Sequence, residues 1–186
     1  MSPALGRSKA GSLPRGGEGA QRQGGCMTMT LDFDGWLALQ ALYADCAAAL
    51  DARELDRWPD FFTEDGVYRL QSRENHERGL PLCTLAFEGR GMLRDRVFGA
   101  TETIFHDPYA QRHIVGAPRL LGQDAAGLHC EASYVVIRTK RDAMPEILSV
   151  GRTLDTVVAT PEGLRFARRE VIFDNDLIPN SIIDPI

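Results

Sequence analysis

The feature that most restricts the fold is the second half of the chain, which reads as strand almost without a break. Turn-forming residues divide it, as at Gln123-Asp124 and Arg141-Asp142. Four long runs of mostly alternating apolar and polar residues result, covering positions 112–121, 128–139, 146–158 and 164–174. Such alternation predicts half-buried strands, and short polar turns predict antiparallel neighbours. We therefore expect one antiparallel sheet with a face that needs covering.

Two amphipathic helices precede these strands and can cover that face. Apolar residues three and four positions apart predict a helix over Leu31–Leu50; they are Trp36, Leu39, Tyr43, Cys46 and Leu50. A second stripe, formed by Leu93, Val97, Ala100 and Ile104, predicts a helix that Asp107-Pro108 ends. Helices followed by antiparallel strands are typical of an α+β domain. We assign residues 28–186 to one such domain, with the helices on the concave face of a curved sheet.

Smaller elements are predicted between the two helices. Trp58, Phe61 and Phe62 form a bulky apolar group in a short helical piece that contains Pro59. The elements that follow are a turn at 63–66, a strand at 67–71, a polar loop at 72–79 and a short strand at 81–87. Gly89-Arg90-Gly91 lacks the strand–turn context of a phosphate-binding loop, so we interpret it as a turn before the second helix.

The beginning of the chain differs from the rest in composition. Residues 1–27 are rich in Gly, Arg, Ser and Pro and contain no aromatic residue. Such a segment cannot bury enough apolar surface to offset its chain entropy. It also lacks the apolar core of a secretion signal. We predict a disordered extension at 1–27.

Charge and cysteine content exclude several classes of protein. The formal net charge of -5 argues against a nucleic-acid-binding surface, which needs a basic face. No run approaches the roughly 20 apolar residues that span a bilayer. The four cysteines are far apart and form no C-x-x-C pair, so we expect reduced thiols. These observations predict a cytoplasmic protein with no nucleic-acid or membrane partner.

The sequence offers little that could bind a metal or act as a nucleophile. A Rieske cluster needs C-x-H and C-x-x-H pairs, and none of the cysteines has a histidine at either spacing. The four histidines include no helical i, i+4 pair, and there is no G-x-S-x-G motif. We expect no catalytic, cofactor-binding or metal-binding residue in this chain.

An internal acid–base group is the alternative that the residues leave open. Tyr43, Tyr68, Asp95 and His113 could act inside a cone-shaped α+β domain, where burial tunes the pKa of a side chain. The chain would then be a free-standing dehydratase or isomerase, or a small-molecule-binding module of the same fold. We favour packing, since Tyr43 belongs to the first helix stripe and His113 can be satisfied by a hydrogen bond in its strand.

Three sequence elements, taken together with their order, are specific. They are W-x-x-F-F-x-x-D-x-x-Y from Trp58 to Tyr68, M-L-x-D-R from Met92 to Arg96 and R-H-x-x-G from Arg112 to Gly116. With the ending NDLIPNSIIDPI, they resemble the small subunits of aromatic-ring-hydroxylating dioxygenases. The likeness runs from about Leu31 to Ile186. The segment Asn75–Leu80 resembles most the members that act on single-ring aromatic acids.

This resemblance implies a nuclear transport factor 2-like, cystatin-like cone and a mainly structural small (β) subunit without a cofactor of its own. It implies a large (α) partner that carries a Rieske [2Fe-2S] cluster and a mononuclear Fe(II). It also implies an assembly of three α and three β subunits, which receives electrons from NADH through a reductase or ferredoxin.

The recognisable elements contain four charged or polar residues that no chemistry in this chain needs: Asp95, Arg96, Arg112 and His113. Mixed charges beside apolar residues are typical of subunit interfaces, where Arg is enriched. We therefore expect these four residues to serve assembly. The fork of Arg96 would bind a carboxylate of a neighbouring subunit; a pair within the chain is the alternative.

Overall fold

The structure is a computed structural model that describes residues 31–177 and 182–186. The predicted disordered extension, residues 1–27, lies outside the described residues, as does Thr28–Thr30. The described part of the chain contains three α-helices, namely α1 (Phe33–Asp51), α2 (Arg73–Glu77) and α3 (Arg90–Phe98). A 3-10 helix spans Leu55–Phe61, and a wide π-helical turn, Gly99–Thr103, continues α3.

The strands form one mixed sheet. They are β1 (Phe62–Ser72), β2 (Leu85–Glu88), β3 (Tyr109–Val115), β4 (Arg119–Asp124), β5 (Gly127–Lys140), β6 (Glu146–Thr160) and β7 (Gly163–Phe173). Their order is β2-β1-β7-β6-β5-β3, and β4 pairs with the first part of β5. All neighbours are antiparallel except β1 and β7, which run parallel. The α+β cone with helices packed on a curved sheet is thereby confirmed.

Local sequence explains the position and the buried side of α1. The helix begins at Phe33, and the side chain of Asp32 caps it by accepting a hydrogen bond of 2.8 Å from the Gly35 amide. The predicted stripe faces the core, with Leu39, Tyr43, Cys46 and Leu50 buried. Trp36 departs from the prediction because 41% of its surface is exposed. The buried face therefore starts one turn later than the stripe does.

The apolar group predicted around Trp58 is the centre of the core. Trp58, Phe62 and Tyr68 are all fully buried. The Trp58 ring meets the Tyr68 ring edge to face, with centroids 5.1 Å apart, and the Phe62 ring at 5.5 Å. The C-terminal residues close this core, since Ile182, Ile183 and Ile186 are buried against it.

Several predicted boundaries were wrong. The turn at 63–66 is part of β1, which bulges between Phe62 and Val67 instead of ending. The polar loop at 72–79 contains α2, because the Ser72 hydroxyl caps a helical turn by accepting from the Asn75 amide at 3.2 Å. The short strand predicted at 81–87 covers Leu85–Glu88 instead.

Two longer elements were also predicted without the interruptions that the structure has. The second helix is α-helical only to Phe98, and its last predicted stripe residue, Ile104, lies beyond the π-helical turn. The run at 112–121 is two strands, β3 and β4. The break falls at 116–118, where Pro118 has no N–H to donate to a strand ladder.

Candidate functional site

A charged cluster lies inside the cone, between α1 and the sheet. We call Tyr43, Thr153, Asp155 and Arg169 the interior cluster. The hydroxyls of Tyr43 and Thr153 both donate to Oδ2 of Asp155, at 2.5 Å and 2.6 Å. Nε of Arg169 is 3.9 Å from the other carboxylate oxygen, and its guanidinium lies 4.6 Å from the centre of the Phe166 ring. The cluster thus connects α1 to β6 and β7.

Burial controls the electrostatics of this cluster. It raises the pKa of Asp155, which the Arg169 guanidinium and the two hydroxyl donors oppose. It also raises the pKa of Tyr43, and the neighbouring Asp155 carboxylate adds to the rise, so the phenol stays protonated and donates. For Arg169, burial would lower the pKa, but the Asp155 carboxylate prevails and raises it. The side chain of Asp155 is 0% exposed and that of Arg169 is 7% exposed, so the ion pair within the cluster is shielded from solvent.

Sequence reasoning missed Asp155 and Arg169, although a signal for both was present. Asp155 alternates with Thr153 and Val157, and all three are buried on the inner face of β6. Arg169 shares a face with Val171 and Phe173 in the alternation of β7. A charged residue at an inward position usually has a buried partner. Which residue is that partner depends on the pairing of β6 with β7, where Asp155 lies directly opposite Arg169.

The four residues considered for internal acid–base chemistry do not converge on one point. The Tyr68 hydroxyl donates to the carbonyl of Ile186 at 3.1 Å and accepts from the Ile186 amide at 3.2 Å. Asp95 is exposed on α3. Tyr43 and His113 do line one groove, which runs between α1 and the end of β3. Tyr43 uses its hydroxyl on Asp155, and His113 is bound to Asp51.

Arg112 and His113 meet a carboxylate that the sequence did not single out. Oδ1 of Asp51, at the end of α1, accepts from the His113 amide at 2.9 Å and contacts its Nδ1 at 2.7 Å. Oδ2 of Asp51 accepts from the Arg112 guanidinium at 3.1 Å. Because an ionised carboxylate can only accept, Nδ1 of His113 must carry the hydrogen. The three donors join the C-terminus of α1 to β3.

These hydrogen bonds also fix the charge of Asp51. Partial burial acts to raise the pKa of Asp51, but the side-chain and backbone hydrogen bonds from His113, together with Arg112, hold it below its usual value. The side chains of Asp51 and His113 are 7% and 4% exposed, whereas that of Arg112 is 72% exposed. Arg112 therefore pairs with Asp51 at one end and presents the rest of its guanidinium to solvent.

Arg96 and Asp95 are adjacent in sequence but have separate environments. Nη2 of Arg96 donates to the carbonyl of Ile182 at 2.9 Å and also to that of Ile183. Its contacts are thus main-chain carbonyls of its own chain rather than a carboxylate. The side chain of Asp95 forms no ion pair with any of the residues that the structure describes.

The histidines are engaged separately. Nδ1 of His76 contacts the Gln71 amide at 3.1 Å, and Nε2 of His129 lies 2.9 Å from Asp124. Within residues 31–177 and 182–186, no three His, Cys, Asp or Glu side chains are grouped to hold a metal ion. No helix of this described part is long and apolar enough to cross a membrane.

Comparison of the sequence with known proteins gives consistent matches. The profile of the family described as "Ring hydroxylating beta subunit" matches residues 46–180. The anthranilate 1,2-dioxygenase small subunit of Burkholderia cepacia is 31% identical over 158 residues, which are 85% of this chain and 98% of that protein. Subunit beta 1 of the terminal oxygenase component of terephthalate 1,2-dioxygenase, from Comamonas sp, is 26% identical over 150 residues, or 81% and 97% of the two chains.

Solved structures match the fold as well. One described as the beta subunit of an aromatic-ring-hydroxylating dioxygenase from Novosphingobium aromaticivorans superposes with a TM-score of 0.75 at 29% identity, covering 82% of this chain and 97% of that one. A scytalone dehydratase-like protein of the same organism superposes with a TM-score of 0.59 at 18% identity, covering 81% and 91%. The second match shows a shared fold alone.

Proposed function

The chain belongs to the ring hydroxylating beta subunit family, and we propose that it serves an oxygenase that acts on a single-ring aromatic acid. The family membership makes it the β subunit of an aromatic-ring-hydroxylating dioxygenase. The substrate class is supported by two relatives that match over almost their whole lengths. Their names state that the oxygenases to which they belong act on anthranilate and on terephthalate. Both compounds are benzene carboxylates.

The proposal assigns the chemistry to the large subunit. The Rieske [2Fe-2S] cluster and the mononuclear Fe(II) would belong to the α subunit, with electrons from NADH arriving through a reductase or ferredoxin. This chain would contribute no catalytic, cofactor-binding or metal-binding residue. The engaged histidines support this division, because His113 and His129 bind carboxylates at separate places and do not form a ligand set. The assembly would contain three α and three β subunits and work in the cytoplasm.

The interior cluster supports a structural role for the cone. An acid–base residue must come within hydrogen-bond reach of a substrate atom. Tyr43 donates instead to Asp155, both side chains are buried, and the same carboxylate is bound by Thr153 and faces Arg169. The cluster connects helix to sheet, which is what a scaffold subunit needs.

The four interface candidates would serve assembly in two ways. Asp95 and Arg112 expose charge on the surface and can contact the large subunit directly. Arg96 and His113 point inward, where Arg96 holds the C-terminal segment and His113 holds α1. Their effect on assembly would be indirect, through the shape of the surface that they support.

Co-expression with the large subunit tests the proposal. The chain and a Rieske-type α subunit should co-purify, and native mass spectrometry should give the mass of three α and three β subunits. Iron and acid-labile sulfide should appear in the complex and in the α subunit, and the complex should hydroxylate benzene carboxylates. Stoichiometric iron in the purified β chain, or hydroxylation by the α subunit alone at the full rate, would contradict the proposed division of roles.

A further inference from the structure

Helix α1 is apolar on two sides. Its inner stripe, which contains Leu39, Tyr43, Cys46 and Leu50, is buried in the core. A second stripe with the same 4, 3, 4 spacing faces outward, and Phe33 extends it by one turn. We call Phe33, Leu37, Ala41, Ala44 and Ala48, all of which are exposed, the outer seam. Its two large members, Phe33 and Leu37, are 71% and 46% exposed. A helix that is apolar all round is normally buried, so we expect another chain to cover the outer seam.

The charge beside the outer seam is negative. Asp34 and Asp45 are exposed and lie about three helical turns apart, so both border the seam on the same side. Neither forms an ion pair with any residue in the described part of the chain. Helix α1 itself has no basic residue. Two outer seams that packed together would bring carboxylates against carboxylates, so α1 of a second copy does not fit this surface.

The outer face of the sheet has an apolar area at the end near β3. Ile114 on β3 lies opposite Val135 on β5, which in turn lies opposite Val150 on β6. In the next row, Ile137 lies opposite Ile147. We call these five residues the outer sheet patch. They face away from the core, because the residues between them on β5 are the buried ones. Ile114 and Ile147 are 55% and 61% exposed, and a contiguous apolar patch of this kind marks a contact with another protein.

The charge beside the outer sheet patch is positive. Arg152 lies on the same face, two positions beyond the patch on β6, and Arg119 lies on that face opposite Glu131. The two arginines share one carboxylate, since Glu131 is 2.7 Å from Nη2 of Arg119 and 3.9 Å from Nη1 of Arg152. The three residues therefore carry a net charge of about +1. Other ion pairs of this face match one arginine with one carboxylate and add no net charge. The side chain of Arg152 is 42% exposed, so its fork can bind a further carboxylate.

The number of β copies in the proposed assembly restricts how they can meet. A surface that pairs with itself joins two copies about a twofold axis. Three copies around a threefold axis need two different surfaces that fit each other. The outer seam and the outer sheet patch meet this requirement, because both are apolar and the charges beside them are opposite.

We propose that the outer seam of one β chain packs against the outer sheet patch of the next, with Asp45 beside Arg152 of the neighbouring copy. The inference rests on the proposed function, which supplies the three β copies. The same contact, repeated three times, would close a ring of β chains. Apolar burial would hold the copies together, and the charges would fix which surface meets which.

Cross-linking in the assembled complex tests the contact. A carbodiimide joins a carboxylate to a lysine amine when the two form a salt bridge, and Arg152→Lys supplies the amine while keeping the charge. The complex with this variant should give a covalent β–β product that mass spectrometry assigns to positions 45 and 152. Addition of Asp45→Asn is the matched control and should remove the product.

Three other results of this experiment would overturn the inference. One is a complex without a β–β product, or with a product that persists after Asp45→Asn. Another is a link from position 152 to the large subunit, which would assign the outer sheet patch to that subunit. The third is a link between Asp45 and Lys9, which would mean that the chain's own N-terminal segment covers the outer seam.

Charge reversal tests whether the two surfaces recognise each other. Asp45→Lys and Arg152→Glu should each raise the concentration at which the complex dissociates by about tenfold, because like charges then face each other. The double variant has opposite charges again, in exchanged positions, and should dissociate within about threefold of the wild-type concentration. Asp56→Lys, which reverses an exposed acidic residue outside both surfaces, is the control and should have no effect. A double variant that is no tighter than the weaker single variant would contradict the inference.

Mass photometry of the co-expressed complexes measures these concentrations and separates the two proposals. If the wild-type chain forms no complex with the α subunit, the proposed function fails. If a complex of three α and three β subunits forms, yet the link between positions 45 and 152 is absent, the proposed function stands and the contact between β copies is wrong.

Discussion

Replacement of Arg169 by methionine should strongly destabilise the cone. Methionine is of similar length and unbranched, so the main loss is the charge opposite Asp155. The Asp155 side chain is 0% exposed and would keep only the hydroxyls of Tyr43 and Thr153. Removal of one member of a buried ion pair costs about 3–5 kcal/mol. A typical domain is stable by about 5–15 kcal/mol, so this loss would be a large fraction of the total.

The loss should depend on pH in a definite direction. Burial raises the pKa of Asp155 in the folded protein, and Arg169 opposes the rise, so Arg169→Met should raise that pKa further. A carboxyl group whose folded pKa exceeds its unfolded value of about 3.9 binds its proton more tightly when folded. The destabilisation that this buried carboxylate causes is complete when the pH is above its folded pKa, and it disappears as the pH falls to its unfolded pKa. The variant should therefore lose most stability near neutral pH and less in acid.

Urea denaturation of the purified chain at about pH 7.5 and about pH 5.5 measures both effects. Asp155→Asn, alone and combined with Arg169→Met, completes a double-mutant cycle. Each single variant leaves one buried group without its charge partner, whereas the double variant leaves neither, so a coupling of about 1–3 kcal/mol is expected. A loss below about 1 kcal/mol for Arg169→Met that is equal at both pH values, together with additive effects in the cycle, would refute the reasoning.

Three further predictions concern the core, the C-terminus and the N-terminus. Tyr43→Phe should lower the free energy of unfolding by about 1.5–3 kcal/mol, because the hydrogen bond to Asp155 is lost. Turnover of the assembled oxygenase should stay within a few-fold. A hundredfold fall in kcat with assembly intact would show an acid–base role. Arg96→Ala should cost about 1–3 kcal/mol in thermal or urea unfolding and weaken assembly in gel filtration, because two carbonyls lose their donor. The exposed neighbour Arg94 is its control, and Arg94→Ala should change neither. A chain that begins at Met27 should match the full chain in melting temperature and assembly, and a clear fall in either would contradict the predicted extension.

Periodicity predicted the elements of the fold better than their ends. The stripe through Leu39, Tyr43 and Cys46 and the alternation in β5 to β7 each follow from a repeat over many residues, so one misplaced residue does not hide them. The errors at 63–66 and at the break before Pro118 come from local events, a register irregularity in β1 and a missing donor. Such events depend on the neighbouring strand, which a sequence does not show.

The charged groups could be predicted as unusual but could not be given partners. Arg112 and His113 stood out as a pair in sequence, yet their carboxylate, Asp51, is more than 60 residues away along the chain. Asp155 and Arg169 meet only because β6 and β7 pair in one register. Partners of this kind are set by tertiary structure. The sequence therefore predicts which residues need an explanation, and the fold supplies it.

The elements that carried the family resemblance acquire a physical meaning when their positions are compared. Trp58 and Tyr68 of the first element form the aromatic centre of the core, and the Tyr68 hydroxyl binds the main chain of Ile186 at both its carbonyl and its amide. Arg96 of the second element binds the carbonyls of Ile182 and Ile183, in the same terminal segment.

Two separate motifs and the characteristic ending thus converge on one structural feature, the closure of the cone by the C-terminus. Arg53 adds an ion pair to Asp184, at 3.5 Å, within the same segment. The third motif, with Arg112 and His113, lies instead at the end of α1 and leaves one guanidinium largely exposed. Closure engages Arg96 of the second motif but not Asp95, so the interface candidates whose charge is largely exposed are Asp95 and Arg112. These two residues are therefore the members of the recognisable elements with most to offer a partner subunit.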